Sequence, residues 1–167
     1  AYLELGEAPA EPLRFVVWGT GHNLVGDFLA LTRKHFQTPL GKVTCDTAFV
    51  DRVAAAIGDE VAYRSEHVHR DEHSIEFQVV MLQHLYGPQV RVLPLLCGTY
   101  AKSIYEGGLP EAEEAPRRIL GALGELAARE GENLVWVLGV DMAHIGRRYG
   151  DSLRAVANQG EMAEVAE

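Results

Sequence analysis

Three strand-length runs of almost unbroken apolar residues, set apart by stretches with helical periodicity, constrain this chain more than any other feature. They are Arg14-Phe15-Val16-Val17-Trp18, Val90-Arg91-Val92-Leu93-Pro94-Leu95-Leu96 and Leu134-Val135-Trp136-Val137-Leu138-Gly139. A strand that is apolar at nearly every position must be covered on both faces, the situation of a parallel sheet between two helical layers. The intervening segments supply those helices. Asp46 caps a predicted helix with Phe49, Val50, Val53, Ala54 and Ile57 on one face and Gly58 as its stop. A second runs from Ser74 to Tyr86 with the stripe Ile75, Val79, Leu82 and Tyr86, and Gly87-Pro88 ends it. A third has Pro116 near its first turn, Ile119, Leu120, Leu123, Leu126 and Ala127 on one side, and Gly131 at its end. The pattern predicts one domain over residues 1–167: α/β, three-layer α/β/α, with a largely parallel sheet and right-handed crossovers. Pro94 predicts an edge position or an irregularity for the middle strand.

Composition narrows the function classes. With 24 acidic against 15 basic residues the formal net charge is −9, which makes nucleic acid an unsuitable partner and gives no long-range steering toward large anions. No stretch approaches the roughly 18 apolar residues of a membrane span. Ala1–Pro12 lacks the basic-then-apolar pattern of a signal peptide, and Cys45 and Cys97 make no disulfide framework, so the expected setting is cytoplasmic. Walker loop, dinucleotide fingerprint and nucleophile elbow are all missing.

Histidines follow two of the strand-like runs. Gly19-Thr20-Gly21-His22 comes after the first, and Asp141-Met142-Ala143-His144-Ile145-Gly146 after the third. Open α/β sheets bind ligands beyond the carboxyl ends of their strands, so His22, Asp141 and His144 are expected to share a pocket. His73 opens the second helix and Glu76 lies one turn on. Imidazoles with carboxylates suit zinc, iron(II) or copper, and two histidines with one acid and open positions is the non-haem iron pattern. Asp71, Glu76 and Asp141 are candidates to orient the ligating imidazoles. The plainer alternative is a charged surface loop at 67–76 with Asp141 as a turn cap, and His35 and His84 are read as structural. Cys45 precedes a helix but has no neighbouring base, and Cys97 reads as core or pocket lining.

The series Gly19-Thr20-Gly21-His22, Thr38-Pro39-Leu40-Gly41-Lys42-Val43, Glu72-His73-Ser74-Ile75-Glu76-Phe77-Gln78 and Asp141-Met142-Ala143-His144-Ile145-Gly146 resembles the Memo-like family. The resemblance runs from about Phe15 to Gly150. It implies a fold like that of class III extradiol ring-cleaving dioxygenases, with His22 and His73 as metal ligands, His144 as acid/base and Asp141 as a pocket residue. The implied metal is iron or copper, with zinc as an alternative. Thr20 stands where the family more often has proline, and Gly139-Val140 where a serine pair is common. The family's third ligand lies well beyond the Asp141–His144 motif, and its H-A-G-Y segment has no counterpart before Phe15. A shortened or partial member is therefore expected, its third ligand coming from Cys45, Cys97, Asp141 or a partner chain. Two functions follow: a metal-dependent, dioxygenase-like oxidoreductase, or a non-catalytic module binding a peptide or small molecule in the same pocket. Asp151–Glu167 carries only the weak stripe Leu153, Val156 and Ala157, expected to fray unless covered.

Overall fold

In a computed structural model of the chain, residues 14–24, 28–63, 65–98, 100–141 and 144–152 are described. The readings on Ala1–Pro12 and on the stripe at 153–157 lie outside them. Strands β1 (Arg14–Thr20), β2 (Leu29–Leu31), β3 (Phe36–Thr38) and β4 (Gly41–Cys45) lead into helices α1 (Thr47–Ile57) and α2 (Asp59–Ala62). Helix α3 (Ser74–Tyr86), β5 (Arg91–Cys97), α4 (Ala101–Glu106), α5 (Glu114–Glu130) and β6 (Leu134–Gly139) follow. The strand order is β3-β4-β5-β1-β6, with β2 also paired to β5. β4, β5, β1 and β6 run parallel, while β2 on β5 and β3 on β4 are antiparallel.

Alternation along the strands divides the core in two. Val16, Leu93, Leu95 and Leu134 pack with Phe49, Val53, Ile119 and Leu123 of α1 and α5 on one face. Phe15, Val17, Val92 and Val137 pack with Ile75, Val79 and Leu82 of α3 on the other. The chain is thus a three-layer α/β/α sandwich, and the amphipathic stripes legible in the sequence are its inward helix faces. Asp46 caps α1 as its position predicts, its carboxylate accepting from the Phe49 N–H at 3.1 Å.

Pro94 does not lie on an edge, because β5 is interior. It escapes the usual exclusion through a gap in its neighbours. On one side it pairs with Val17; on the other, β4 covers only Arg91 and Val92 and β2 only Leu95 to Cys97. The missing N–H therefore falls where no described strand needs it. The Thr38-Pro39-Leu40-Gly41 motif is the tight turn of the β3–β4 hairpin, with Thr38 paired to Gly41. Thr38 Oγ1 accepts from the Leu40 N–H at 3.1 Å and also meets Gln83 Oε1 of α3, which pins the hairpin to that helix.

Candidate functional site

Gly19 of β1 and Gly139 of β6 stand where α3 comes down on the sheet. A Cβ at Gly19 would sit 2.5 Å from Ser74 Oγ and 2.7 Å from Ile75 Cγ1; one at Gly139 of β6 would sit 2.8 Å from Ser74 O. Without those side chains the first turn of α3 settles between the carboxyl ends of β1 and β6, and Ser74 Oγ donates to Thr20 O at 2.8 Å. That contact brings His73, the residue before α3, beside His22, two residues past the end of β1. Their rings stack with centroids 5.3 Å apart and planes at 14°.

The residue joining them is Glu72, whose side chain is only 3% exposed. Oε2 accepts from the His22 N–H at 2.8 Å, and Oε1 from the N–H groups of His73 at 2.9 Å and Ser74 at 3.2 Å. The same carboxylate meets His22 Nδ1 at 3.0 Å. On the far side of the ring, His22 Nε2 lies 3.0 Å from Asp141 Oδ2. Hydrogen bonds to Glu72 and then Asp141 raise the His22 pKa above its ordinary 6.5. Burial pushes Glu72 upward, but the His22 N–H, the His22 ring and the Ser74 and His73 N–H groups outweigh it and leave the carboxyl below its usual range. Sequence reasoning quoted Glu72 within a motif but gave it no role. The available signal was its place just before a helix N-terminus, where a carboxylate meets free N–H groups.

Of the other candidates, Asp141 joins this cluster directly, and its N–H lies 3.4 Å from Thr20 Oγ1. His144 Nε2 is 4.0 Å from Asp141 Oδ2, beyond hydrogen-bond reach, and its ring meets Tyr149 edge-on at 4.8 Å. Asp71 pairs with Arg70 at 3.3 Å on the surface. Asp71 and the exposed Glu76 line a neighbouring groove of about 630 Å³, shared with Thr32, Lys34 and Phe36 and floored by Glu72. Cys97 pairs with Thr20 in the sheet, but alternation puts it on the face of Leu93 and Leu95, away from α3. Its buried thiol sits 3.1 Å from the Tyr100 hydroxyl, and burial raises its pKa. Cys45 is buried on the same face, its thiol pushed up to about 12 by burial and then by Asp46. His35 Nδ1 accepts from the Cys45 N–H at 3.1 Å, a structural role.

Whether these residues suit a metal can be tested on their donors. One ligand atom each from His22, Glu72 and His73 lies within 4.8 Å of the others. Glu72, however, already accepts three backbone N–H groups, so its chemistry is that of an orienting partner that keeps the proton on His22 Nδ1 and frees Nε2. Asp141, 3.0 Å from His22 Nε2, is the further carboxylate beside the pair. Two imidazoles with a nearby carboxylate form a set that zinc, iron(II) or copper accepts.

Fold and site together define a three-layer α/β protein that gathers imidazoles and carboxylates beyond the carboxyl ends of parallel strands. The chain belongs to the Memo-like protein family, whose model matches residues 1–166. It is 28% identical over 143 residues to a MEMO1 family protein of Pyrococcus furiosus, covering 83% of this chain and 44% of that protein. A MEMO1 family protein of Thermococcus kodakarensis is 30% identical over 143 residues, with 83% and 45% covered. One from Aquifex aeolicus is 25% identical over 136 residues, with 81% and 33% covered. The chain spans less than half the length of these curated relatives. No helix among the described residues is long and apolar enough to cross a membrane.

Proposed function

We propose that this Memo-like chain holds a divalent metal through His22 and His73, iron or copper with zinc as the alternative, in a site suited to dioxygenase-like redox chemistry. The observation that supports the reading is the stacked His22–His73 pair, its ligand atoms within 4.8 Å of a buried carboxylate. Glu72 holds the His22 ring from behind, and Asp141, 3.0 Å from Nε2, would complete the set. A bound ion would act as a Lewis acid toward a substrate oxygen or as a redox centre. His144, whose Nε2 lies 4.0 Å from Asp141 Oδ2, would serve as the acid/base imidazole. A second reading, a module that binds a peptide or small molecule without turnover, is favoured by the groove of about 630 Å³ beside Glu72.

Elemental analysis of anaerobically purified protein, beside the His22→Ala/His73→Ala double variant, separates the two. Near-stoichiometric metal in the wild type that is lost in the variant is the expected result. Metal missing from both after reconstitution with iron, copper and zinc overturns it and leaves the binding module.

A further inference from the structure

The sheet stops short of the imidazole cluster. The parallel ladder between β1 and β6 ends at Gly19 and Gly139, two residues before Asp141. The Gly21 N–H is turned to Cys97 O of β5, so by alternation the Thr20 carbonyl faces β6, where the next rung would take the Asp141 N–H. The chain departs from that pattern. The Thr20 carbonyl accepts from Ser74 Oγ at 2.8 Å, and the Asp141 N–H donates to the Thr20 hydroxyl, Oγ1, at 3.4 Å. A side chain thus stands in for a rung.

Thr20 is thereby tied to every part of the cluster. Its carbonyl holds Ser74, next to His73 at the entry of α3, and its hydroxyl holds the backbone of Asp141. His22 follows two residues on. Asp141 needs such a hold. Its side chain is 48% exposed, and its carboxylate meets His22 Nε2 at 3.0 Å. An ion on Nε2 would end that hydrogen bond, because a ring nitrogen has a single site for either a proton or a metal. The bond to the Thr20 hydroxyl would then be the one among the described residues that keeps Asp141 beside the two imidazoles.

We propose that Thr20 is a positioning residue of this site, its hydroxyl holding Asp141 where the carboxylate can join His22 and His73. Its effect on metal affinity rests on the reading of those residues as a metal site, whereas the tether itself belongs to the chain without metal. Thr20→Val keeps the branched shape and removes the acceptor; Thr20→Ser keeps the acceptor and removes the methyl group.

The direct readout is exchange of the Asp141 amide with water, followed by NMR on chelator-treated protein, with circular dichroism confirming that each variant folds. Exchange at Asp141 about fivefold faster in Thr20→Val, near the wild-type rate in Thr20→Ser and unchanged at Val137 within β6 is the expected result. Zinc affinity, measured by competition with a chromophoric chelator, should fall about tenfold in Thr20→Val and recover in Thr20→Ser. Equal exchange at Asp141 in wild type and Thr20→Val overturns the proposal. Equal acceleration in both variants also overturns it, since the hydroxyl is then not what holds the chain. Zinc bound with the same affinity by all three proteins overturns the positioning role and leaves the metal reading standing. A wild type that takes up no metal brings down the metal reading alone, and exchange at Asp141 then decides for or against the tether. If Thr20→Val fails to fold, Thr20→Ala replaces it and is read the same way.

Discussion

Glu72→Gln isolates the contact on which the site depends. The substitution keeps the shape of the side chain and replaces one acceptor oxygen with a donor. Glu72 now accepts N–H groups on both oxygens, from His22 on one and from His73 and Ser74 on the other. Whichever way the amide turns, at least one backbone N–H faces an NH₂ group, and the charge behind the remaining bonds is gone. Hydrogen bonds to a charged group contribute about 1.5–3 kcal/mol each. Because His22 is 40% exposed, water replaces part of what is lost, and a destabilisation of about 2–3 kcal/mol is expected.

The pH dependence follows from the two shifts. His22 has its pKa raised above 6.5, so its share of stability is full below 6.5 and fades as pH rises through the raised value. Glu72 is lowered from 4.5, so its share is present above 4.5 and is lost as pH falls through the depressed value. The gap between wild type and variant should therefore be widest between pH 4.5 and 6.5 and narrow at pH 8. Urea unfolding of chelator-treated protein at pH 6 and pH 8, followed by the fluorescence of Trp18 and Trp136, measures it. Equal midpoints for both proteins at pH 6 would refute the reasoning, as would a gap that widens toward pH 8.

Gly139→Ala should destabilise by about 1–3 kcal/mol, because the new methyl meets the Ser74 carbonyl, and urea midpoints will show it. Gly121→Ala in α5, where a Cβ meets nothing within 4 Å, should instead stabilise by about 0.5–1 kcal/mol. His69 is held neutral by burial, its Nε2–H donating to the Ala30 carbonyl at 2.9 Å. The unfolded chain takes up that proton near 6.5 and the folded one resists, so stability should fall as pH drops below 6.5 and fall less in His69→Gln. Cys45 and Cys97, both buried with raised pKa values, should stay unreactive toward a disulfide reagent at pH 8 until urea unfolds the chain.

The sandwich was legible because burial on both faces leaves a mark at every position of a strand. The apolar runs at β1, β5 and β6 and the stripes of α1, α3 and α5 are local patterns that need no knowledge of what they touch. The three-residue strands β2 and β3 were not legible, since segments so short hold their form only through their partners on β5 and β4. Of the two readings open for Pro94, an edge or an irregularity, the structure has the second, since β5 changes partner from β4 to β2 at that residue, and which neighbour stands opposite is not a local property. In the site, the strand ends pointed to His22, Asp141 and His144 and the helix entry to His73, and a Cβ built at Gly19 or Gly139 explains why glycine stands there.

Which carboxylate stands behind the imidazoles was beyond the sequence. Asp71, Glu72 and Glu76 lie within six residues, equivalent in charge and nearly so in length. The way the chain turns into α3 puts one of them under three N–H groups, one in a surface pair with Arg70 and one along a groove. A sequence fixes the period and polarity of its segments, because these are local. The choice among neighbouring like charges belongs to tertiary structure, because desolvation and hydrogen bonding act only once distant strands have closed around them.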